Sequence, residues 1–160
     1  MLIGVLSDTH LRTGRTLPQF VWKALEDADL ILHAGDILVD TLLTDLAAVA
    51  PVYAVRGNCD SWEIDLPNNR IVTCEEVQIG LTHGYEGFGR STPERAFNSF
   101  RNSSVDIIVF GHSHQPHLEW KDGILLFNPG SPTDKRRELQ YSMGFLRISG
   151  KQIEAEHLYF

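Results

Sequence analysis

The 160-residue chain is 42% hydrophobic and 22% charged, the balance of a globular protein that can bury a core, and its length suits one domain over residues 1–160. A formal charge of -7 speaks against a broad surface for nucleic acid or an anionic membrane, both of which are bound through basic patches. Two cysteines, Cys59 and Cys74, are too few for a disulfide framework, and the apolar run Met1 to Leu6 is too short to span a membrane and lacks a signal peptide's basic flank; the chain reads as cytoplasmic.

Leu2–Leu6 has the length and character of a buried strand and ends at Ser7-Asp8. Pro18 with Phe20, Val21, Ala24 and Leu25 shows helical spacing, the proline lying near the first turn where its missing N–H is tolerated. Leu30–His33 is a second buried strand and runs into Gly35-Asp36. Leu42, Leu43, Leu46, Ala47 and Ala50 again recur at helical spacing, and Pro51 stops that helix. Val52–Val55 then leads to Gly57-Asn58. This β-α-β-α-β order predicts parallel strands joined by right-handed crossovers.

From Arg70 the pattern changes. Ile71–Cys74 and Val77–Leu81 read as a hairpin about Glu75-Glu76, and Thr92–Arg101 as a helix with Thr92 at the N-cap and Pro93 at its first position. Val105–Phe110 is a β-branched strand ending at Gly111-His112. Leu118–Trp120 and Ile124–Phe127 flank Asp122-Gly123, a strong hairpin signal, and Met143–Ile148 pairs with Gln152–Leu158 about Ser149-Gly150. The expected fold is α/β: two mixed β-sheets packed face to face and flanked by helices, a four-layer αββα sandwich. The pattern leaves the strand order open.

Five of these strand ends carry groups able to bind a metal. Asp8 and His10 follow the first strand, Asp36 the second, Asn58 the third, His83 the hairpin's second arm, and His112 with His114 the β-branched strand. Each is an ordinary turn residue on its own. Together they are two Asp, one Asn and four His, enough oxygen and nitrogen for two borderline divalent ions such as manganese, iron, zinc or nickel. Asp8/His10 and His112/His114 are spaced by two, which in extended backbone turns both members to one side. Ligands at the carboxyl ends of strands converge on the crevice where open α/β sheets bind their substrates. Two divalent ions against two carboxylates leave a surplus of about +2, suited to a phosphate ester and an attacking hydroxide, and ions ~3.5–4 Å apart can share a carboxylate.

The blocks Asp8-Thr9-His10, Gly35-Asp36, Gly57-Asn58-Cys59-Asp60, His83-Gly84 and Gly111-His112-Ser113-His114 resemble the calcineurin-like metallophosphoesterases, in order and over almost the whole chain. The length and Asn128-Pro129-Gly130-Ser131 are similar to that family's small bacterial and archaeal phosphodiesterases, a branch similar in turn to the retromer subunit Vps29, which uses the fold as a binding scaffold. The resemblance implies two divalent ions per chain, manganese first among them. Asp8, His10, Asp36 and His114 would hold one ion, Asp36 would bridge to the second, and Asn58, His83 and His112 would complete it. It further implies a phosphodiesterase in which metal-bound hydroxide attacks phosphorus in line, acting on a small phosphate ester, with Asp36, Asn58 and His83 as catalytic residues. The alternative it carries is a Vps29-like interaction scaffold with weak catalysis or none.

The chain departs from the family at Cys59, where a histidine commonly protonates the leaving group; the thiol is a poorer candidate for that task and suits packing beside the site better. Tyr85 replaces another frequent histidine. Of the remaining groups, His33 is expected to support the site from a buried strand end, His117 to pack near the cavity rim, His157 to lie on the surface and Cys74 in the core. Arg12 and Lys135-Arg136-Arg137 read as solvated faces or as guides for a phosphate, and Asn128 to Ser131 as a cavity wall or a turn. Trp62, Phe88 and Phe97 are expected to be exposed, as a substrate rim or a homo-oligomer interface.

Overall fold

The computed structural model describes residues 1–160. Strand β1 (Leu2–Leu6), helix α1 (Gln19–Leu25), β2 (Leu30–His33), α2 (Thr41–Ala47) and β3 (Val52–Ala54) form two successive crossovers with all three strands parallel. The second half supplies β4 (Asn69–Cys74), β5 (Val77–Thr82), α3 (Thr92–Ser99), β6 (Ile107–Val109), β7 (His117–Lys121) and β8 (Ile124–Asn128), then the long hairpin β9 (Ser142–Ser149) and β10 (Gln152–Tyr159). One sheet has the order β10-β9-β1-β2-β3 and the other β4-β5-β6-β8-β7. The last hairpin therefore returns to the first sheet, β9 lying antiparallel to β1, while β5, β6 and β8 are parallel neighbours in the second.

Side-chain alternation assigns the layers. Ile3, Val5, Leu30 and Leu32 face Ile79, Leu81, Ile107, Val109 and Phe127 in the core between the sheets. On the other face of the first sheet Leu6 and Ile31 pack against Val21 and Leu25 of α1 and Leu42 and Leu46 of α2. Ile108, Phe110 and Leu126 do the same for the second sheet against Ala96 and Phe100. Strands covered on both faces must be apolar at successive positions, which is why β1, β2, β6 and β8 are continuous apolar runs rather than alternating ones. The four layers are the αββα arrangement expected from the sequence.

Boundaries differ in places. The N-cap of α3 is Ser91, not Thr92: its hydroxyl accepts the Glu94 N–H at 3.3 Å, and the Glu94 carboxylate reaches back to the Arg90 N–H at 2.7 Å. The helix ends at Ser99 instead of Arg101, and β6 covers only the middle of Val105–Phe110 because its neighbours β5 and β8 pair with just Ile107 to Val109. The Asp122-Gly123 hairpin forms as expected, with φ of 50° and 80° at its two corners, the signs of a type I′ turn.

The topology gathers the chemistry. In the first sheet the parallel strands β1, β2 and β3 all deliver their carboxyl ends to one rim, and in the second β5, β6 and β8 deliver theirs to the same place. The rim is stitched within and across the sheets: the Gly111 N–H donates to His83 O at 3.2 Å between the ends of β6 and β5, and the His83 ring donates to Ala34 O of the other sheet at 2.7 Å.

Candidate metal centre

All seven residues selected from the sequence meet at this rim, but not through extended backbone. Asp8, His10, Asp36, His112 and His114 have φ of 53°, 45°, 58°, 68° and 59°. Left-handed backbone is uncommon for residues other than glycine, and its concentration at functional positions reflects strain that the surroundings hold in place. Each chain turns sharply as it leaves its strand, and the turn rather than the pleat aims the side chain inward. The i, i+2 expectation reached the right convergence by the wrong conformation. Asn58, the residue type most at home in a left-handed turn, does not adopt one.

The donor atoms form two overlapping groups. In the first, His10 Nε2 lies 3.2 Å from His114 Nε2 and 3.4 Å from Asp36 Oδ2, and His114 Nε2 is 3.4 Å from Asp8 Oδ1. In the second, His83 Nε2 is 3.4 Å from Asp36 Oδ2 and 3.1 Å from Asn58 Oδ1, which also lies 2.9 Å from His112 Nδ1. Asp36 belongs to both groups through Oδ2, and His83 Nε2 is 3.9 Å from Asp8 Oδ1.

The outer atoms of these side chains decide what the inner atoms can do. A carbonyl oxygen only accepts, so His83 carries its proton on Nδ1 and donates to Ala34 O, and His114 donates from Nδ1 to Asp134 O. Both rings therefore turn a bare Nε2 lone pair toward the carboxylate and amide oxygens. Acceptors facing acceptors is the donor set of a cation cage. Fixing the tautomer of a ligating histidine through its other nitrogen is the usual way such a cage is built. The two carboxylates are tied down likewise. Asp8 Oδ2 accepts the Ser7 hydroxyl at 2.6 Å and the His112 N–H at 2.9 Å, and Asp36 Oδ1 accepts the Cys59 N–H at 2.8 Å. In each case one oxygen remains turned to the cluster.

The field inside is uneven. Burial pushes the Asp8 carboxyl above its ordinary range despite the opposing pull of His83, His114 and the Ser7 hydroxyl. At Asp36 burial acts in the same sense but loses to the protonated form of His83, through hydrogen bond and charge, and to the Cys59 N–H, so that carboxyl is held well below the carboxylate range. Burial opposes a charge on His83, but Asp36 and Asp8 outweigh it and raise its pKa, so a proton competes with a cation for the Nε2 that the neutral ring leaves bare. Burial lowers His112 to about 4, helped by His83 and Arg95, and leaves its imidazole neutral at pH 7 as a metal ligand requires. The Cys59 thiol is pushed up to about 11 by desolvation and by its hydrogen bond to Asp36. It sits with His10 and Asp36 as a third cluster of potential ligand atoms.

Glycines allow the loops to approach. A side chain at Gly57 would place its Cβ 2.1 Å from Asp36 Oδ1, and one at Gly111 would place it 1.8 Å from Ser7 Oγ and 2.7 Å from Asp8 Oδ2. Both positions are closed to any larger residue while the carboxylates stay where they are.

Several groups support the candidate ligands, and one of them, Asp60, had no role in the sequence reading. Asp60 is the strongest: its carboxylate accepts the N–H groups of Ile37 and Leu38 on Oδ1 and of Asp36 and Gly57 on Oδ2, at 2.6, 2.8, 3.0 and 2.8 Å. One side chain thus fixes the loop of Asp36 to the loop of Asn58. Its signal in the sequence was its place in Gly57-Asn58-Cys59-Asp60. Ser131 donates to Asp8 O at 2.8 Å, and Asn128 donates to Gly111 O at 2.9 Å and Ser113 Oγ at 3.1 Å, so the segment after β8 is a wall of the centre and not only a turn. His33 is fully buried as expected: it accepts the Gly35 N–H at 3.2 Å and donates to Thr9 Oγ1 at 3.1 Å, and burial lowers it to about 3.

Two expectations need correcting. His157 is not a surface group: it donates to Asn128 O at 2.7 Å and stacks on Phe127, because β10 lies beside β9 over the β8 end. Phe97 is partly buried against Ala96 and Phe100, whereas Trp62 and Phe88 are exposed at 79% and 82%. His117 pairs with Glu119 outside the cluster, and Cys74 lies in the core between the sheets.

Residues 1–151 match the model of the calcineurin-like phosphoesterase superfamily domain. The chain belongs to that family. It is 39% identical to a probable metallophosphoesterase of Methanothermobacter thermautotrophicus over 98% of this chain and 91% of the relative. It is 28% identical to a phosphodiesterase of Methanocaldococcus jannaschii over 81% of this chain and 83% of that one. Among solved structures, Vps29 of Entamoeba histolytica complexed with zinc superposes with a TM-score of 0.81 at 22% identity, covering 99% of each chain. An archaeal phosphodiesterase does so with a TM-score of 0.72 at 20% identity, over 99% of this chain and 100% of that chain. At those identities the superpositions speak to the fold alone. Membership of a metal-dependent phosphoesterase family implies divalent-cation binding, and the acceptor-lined cluster at the strand ends suits it.

Proposed function

We propose that this calcineurin-like phosphoesterase is a phosphodiesterase with a dinuclear centre, in which Asp8, His10, Asp36 and His114 hold one ion, Asn58, His83 and His112 the other, and Asp36 bridges. The observation that carries this reading is the pair of bare Nε2 lone pairs on His83 and His114, fixed by carbonyls outside and turned on oxygens inside. Nitrogen-rich sites of this kind favour manganese, nickel, iron or zinc over magnesium. When bound, such ions lower the pKa of a coordinated water toward ~7 and offset phosphoryl charge.

The chain's own part is positioning. Asp36 keeps one oxygen for the centre while the Cys59 N–H restrains the other. Asn58 Oδ1 lies between His83 and His112 on the open side, at the edge where a phosphoryl oxygen enters. Hydrolysis joins a water oxygen to phosphorus, breaks the bond to the ester oxygen, and returns a proton to the departing alkoxide. Cys59 is close enough to the centre to take part in that last transfer, but a thiol raised to about 11 is a weak acid for it. A diester is favoured over a monoester because the phosphodiesterase relative extends over most of the chain. The substrate is a small phosphate ester rather than nucleic acid, consistent with a net charge of -7, and we place the enzyme in the cytoplasm. A Vps29-like scaffold needs none of this donor arrangement.

The test is hydrolysis of bis-p-nitrophenyl phosphate after chelation and re-addition of single metals. Activity should vanish on chelation and return better with manganese or nickel than with magnesium. Full activity in metal-free protein would contradict the proposal.

A further inference from the structure

Beside the candidate centre lies a second, purely polar hollow of about 370 Å³, lined by Ser113, Gln115, Lys135, Arg136, Arg137 and Glu138. Three cations against one carboxylate give it a local surplus of positive charge in a chain whose formal charge is -7. Its walls are extensions of the centre. Ser113 is the residue between His112 and His114, and the basic run begins one residue after Asp134, whose carbonyl orients the His114 ring. The Arg136 charge is felt at both His112 and Cys59, on either side of the centre's mouth.

The basic segment is a built turn. Glu138 N–H donates to Lys135 O at 2.9 Å, and Lys135 Nζ donates to Glu138 O at 2.8 Å, closing the loop with the lysine consumed in the closure. Arg136 occupies the first corner with φ of 48°, a position that glycine, asparagine or aspartate would fill with less strain. Its guanidinium has only a long approach to Asp134, 3.8 Å from Nε to Oδ2, and is 54% exposed. Arg137 has no carboxylate within salt-bridge distance. Two guanidinium groups are thus free to bind an anion next to the reacting phosphorus, and their planar, multi-donor geometry matches phosphate or carboxylate oxygens.

We propose that this hollow is a specificity subsite, in which Arg136 and Arg137 bind a second anionic group carried by the substrate a few bonds from the scissile phosphate. This rests on the phosphodiesterase reading above. The favoured substrate class is accordingly a small diester with an additional phosphate or carboxylate, such as a phosphorylated nucleotide ester. Arg136 and Arg137 would be substrate-binding groups with no part in the bond-breaking step.

The experiment compares two diesters, thymidine 5′-(p-nitrophenyl phosphate) and the same compound with a 3′-phosphate, on metal-loaded protein. Wild-type kcat/KM should be higher for the 3′-phosphorylated ester by roughly tenfold, the scale of one charge-assisted contact, and the preference should shrink as salt is raised. The double variant Arg136→Asn/Arg137→Gln should lose the preference, its kcat/KM ratio for the two esters falling to about one whatever its absolute rate; asparagine suits the left-handed corner, so the turn is retained. The Arg136→Lys/Arg137→Lys variant should keep part of it. Equal kcat/KM for the two esters, or a preference that survives in the double variant, would overturn the subsite and leave the phosphodiesterase reading intact. Calorimetry with thymidine 3′,5′-bisphosphate and thymidine 5′-monophosphate tests the subsite without turnover: the bisphosphate should bind more tightly to the wild type only. If neither ester is cleaved, the phosphodiesterase reading fails, and that binding difference alone upholds or overturns the subsite.

Discussion

The candidate centre has a buried half and an open half. Asp8, Asp36, His83 and His114 are at most 2% exposed, and each has its outward atoms committed to a hydroxyl, an N–H or a carbonyl. Asn58 and Cys59 are exposed and His112 is half-buried; they stand on the loops after β3 and β6 with fewer restraints. Rigid ligands set the position and charge of a centre, whereas accessible ones leave room for substrate to arrive and product to leave. The two halves ought therefore to respond differently to substitution.

The largest difference expected is between Asp36→Asn and Cys59→Ala. Asp36 serves both donor groups from the buried half, so neutralising it should lower turnover of bis-p-nitrophenyl phosphate by more than the ~100-fold that loss of a supporting group typically costs. Cys59→Ala should stay within a few-fold of wild type, because p-nitrophenolate leaves without a proton. Steady-state kinetics on variants shown to be folded by circular dichroism check this. The reverse order would move Cys59 from the rim into the chemistry.

A smaller effect tests the joint between the halves. Asp60→Asn removes part of the carboxylate that binds the N–H groups of both loops, and activity or metal affinity should fall by ~10–100-fold with the fold retained. Metal titration of this variant against the wild type sharpens the comparison further, since loosening should be felt first at the open Asn58 side. Unchanged affinity would mean that the Asn58 loop holds its position without the clamp.

The candidate residues of both halves were legible in the sequence, Asn58 after the third strand among them. Asp8, His10, Asp36, His83 and the His112/His114 pair each follow a strongly apolar strand, and parallel strands delivered at one rim make convergence a consequence of topology. What pattern reasoning lacked was the backbone. Left-handed φ at five of the candidate positions goes with tertiary hydrogen bonds such as His112 N–H to Asp8, which join residues distant in the chain. The same holds for Asp60, whose four partners are visible only once β2 and β3 are side by side, and for His157, partly buried by a β9–β10 return whose place in the sheet no local pattern specifies. The α3 N-cap moved to Ser91 because Ser and Thr at adjacent positions are equally good caps until the Arg90 N–H finds Glu94.

The central claim is that the two overlapping donor groups hold two ions at once. Metal-reconstituted protein should contain two equivalents of manganese per chain by elemental analysis. Anomalous diffraction should show two peaks, one among Asp8, His10, Asp36 and His114 and one among Asp36, Asn58, His83 and His112. Reproducible saturation at a single equivalent, or peaks away from these residues, would contradict it.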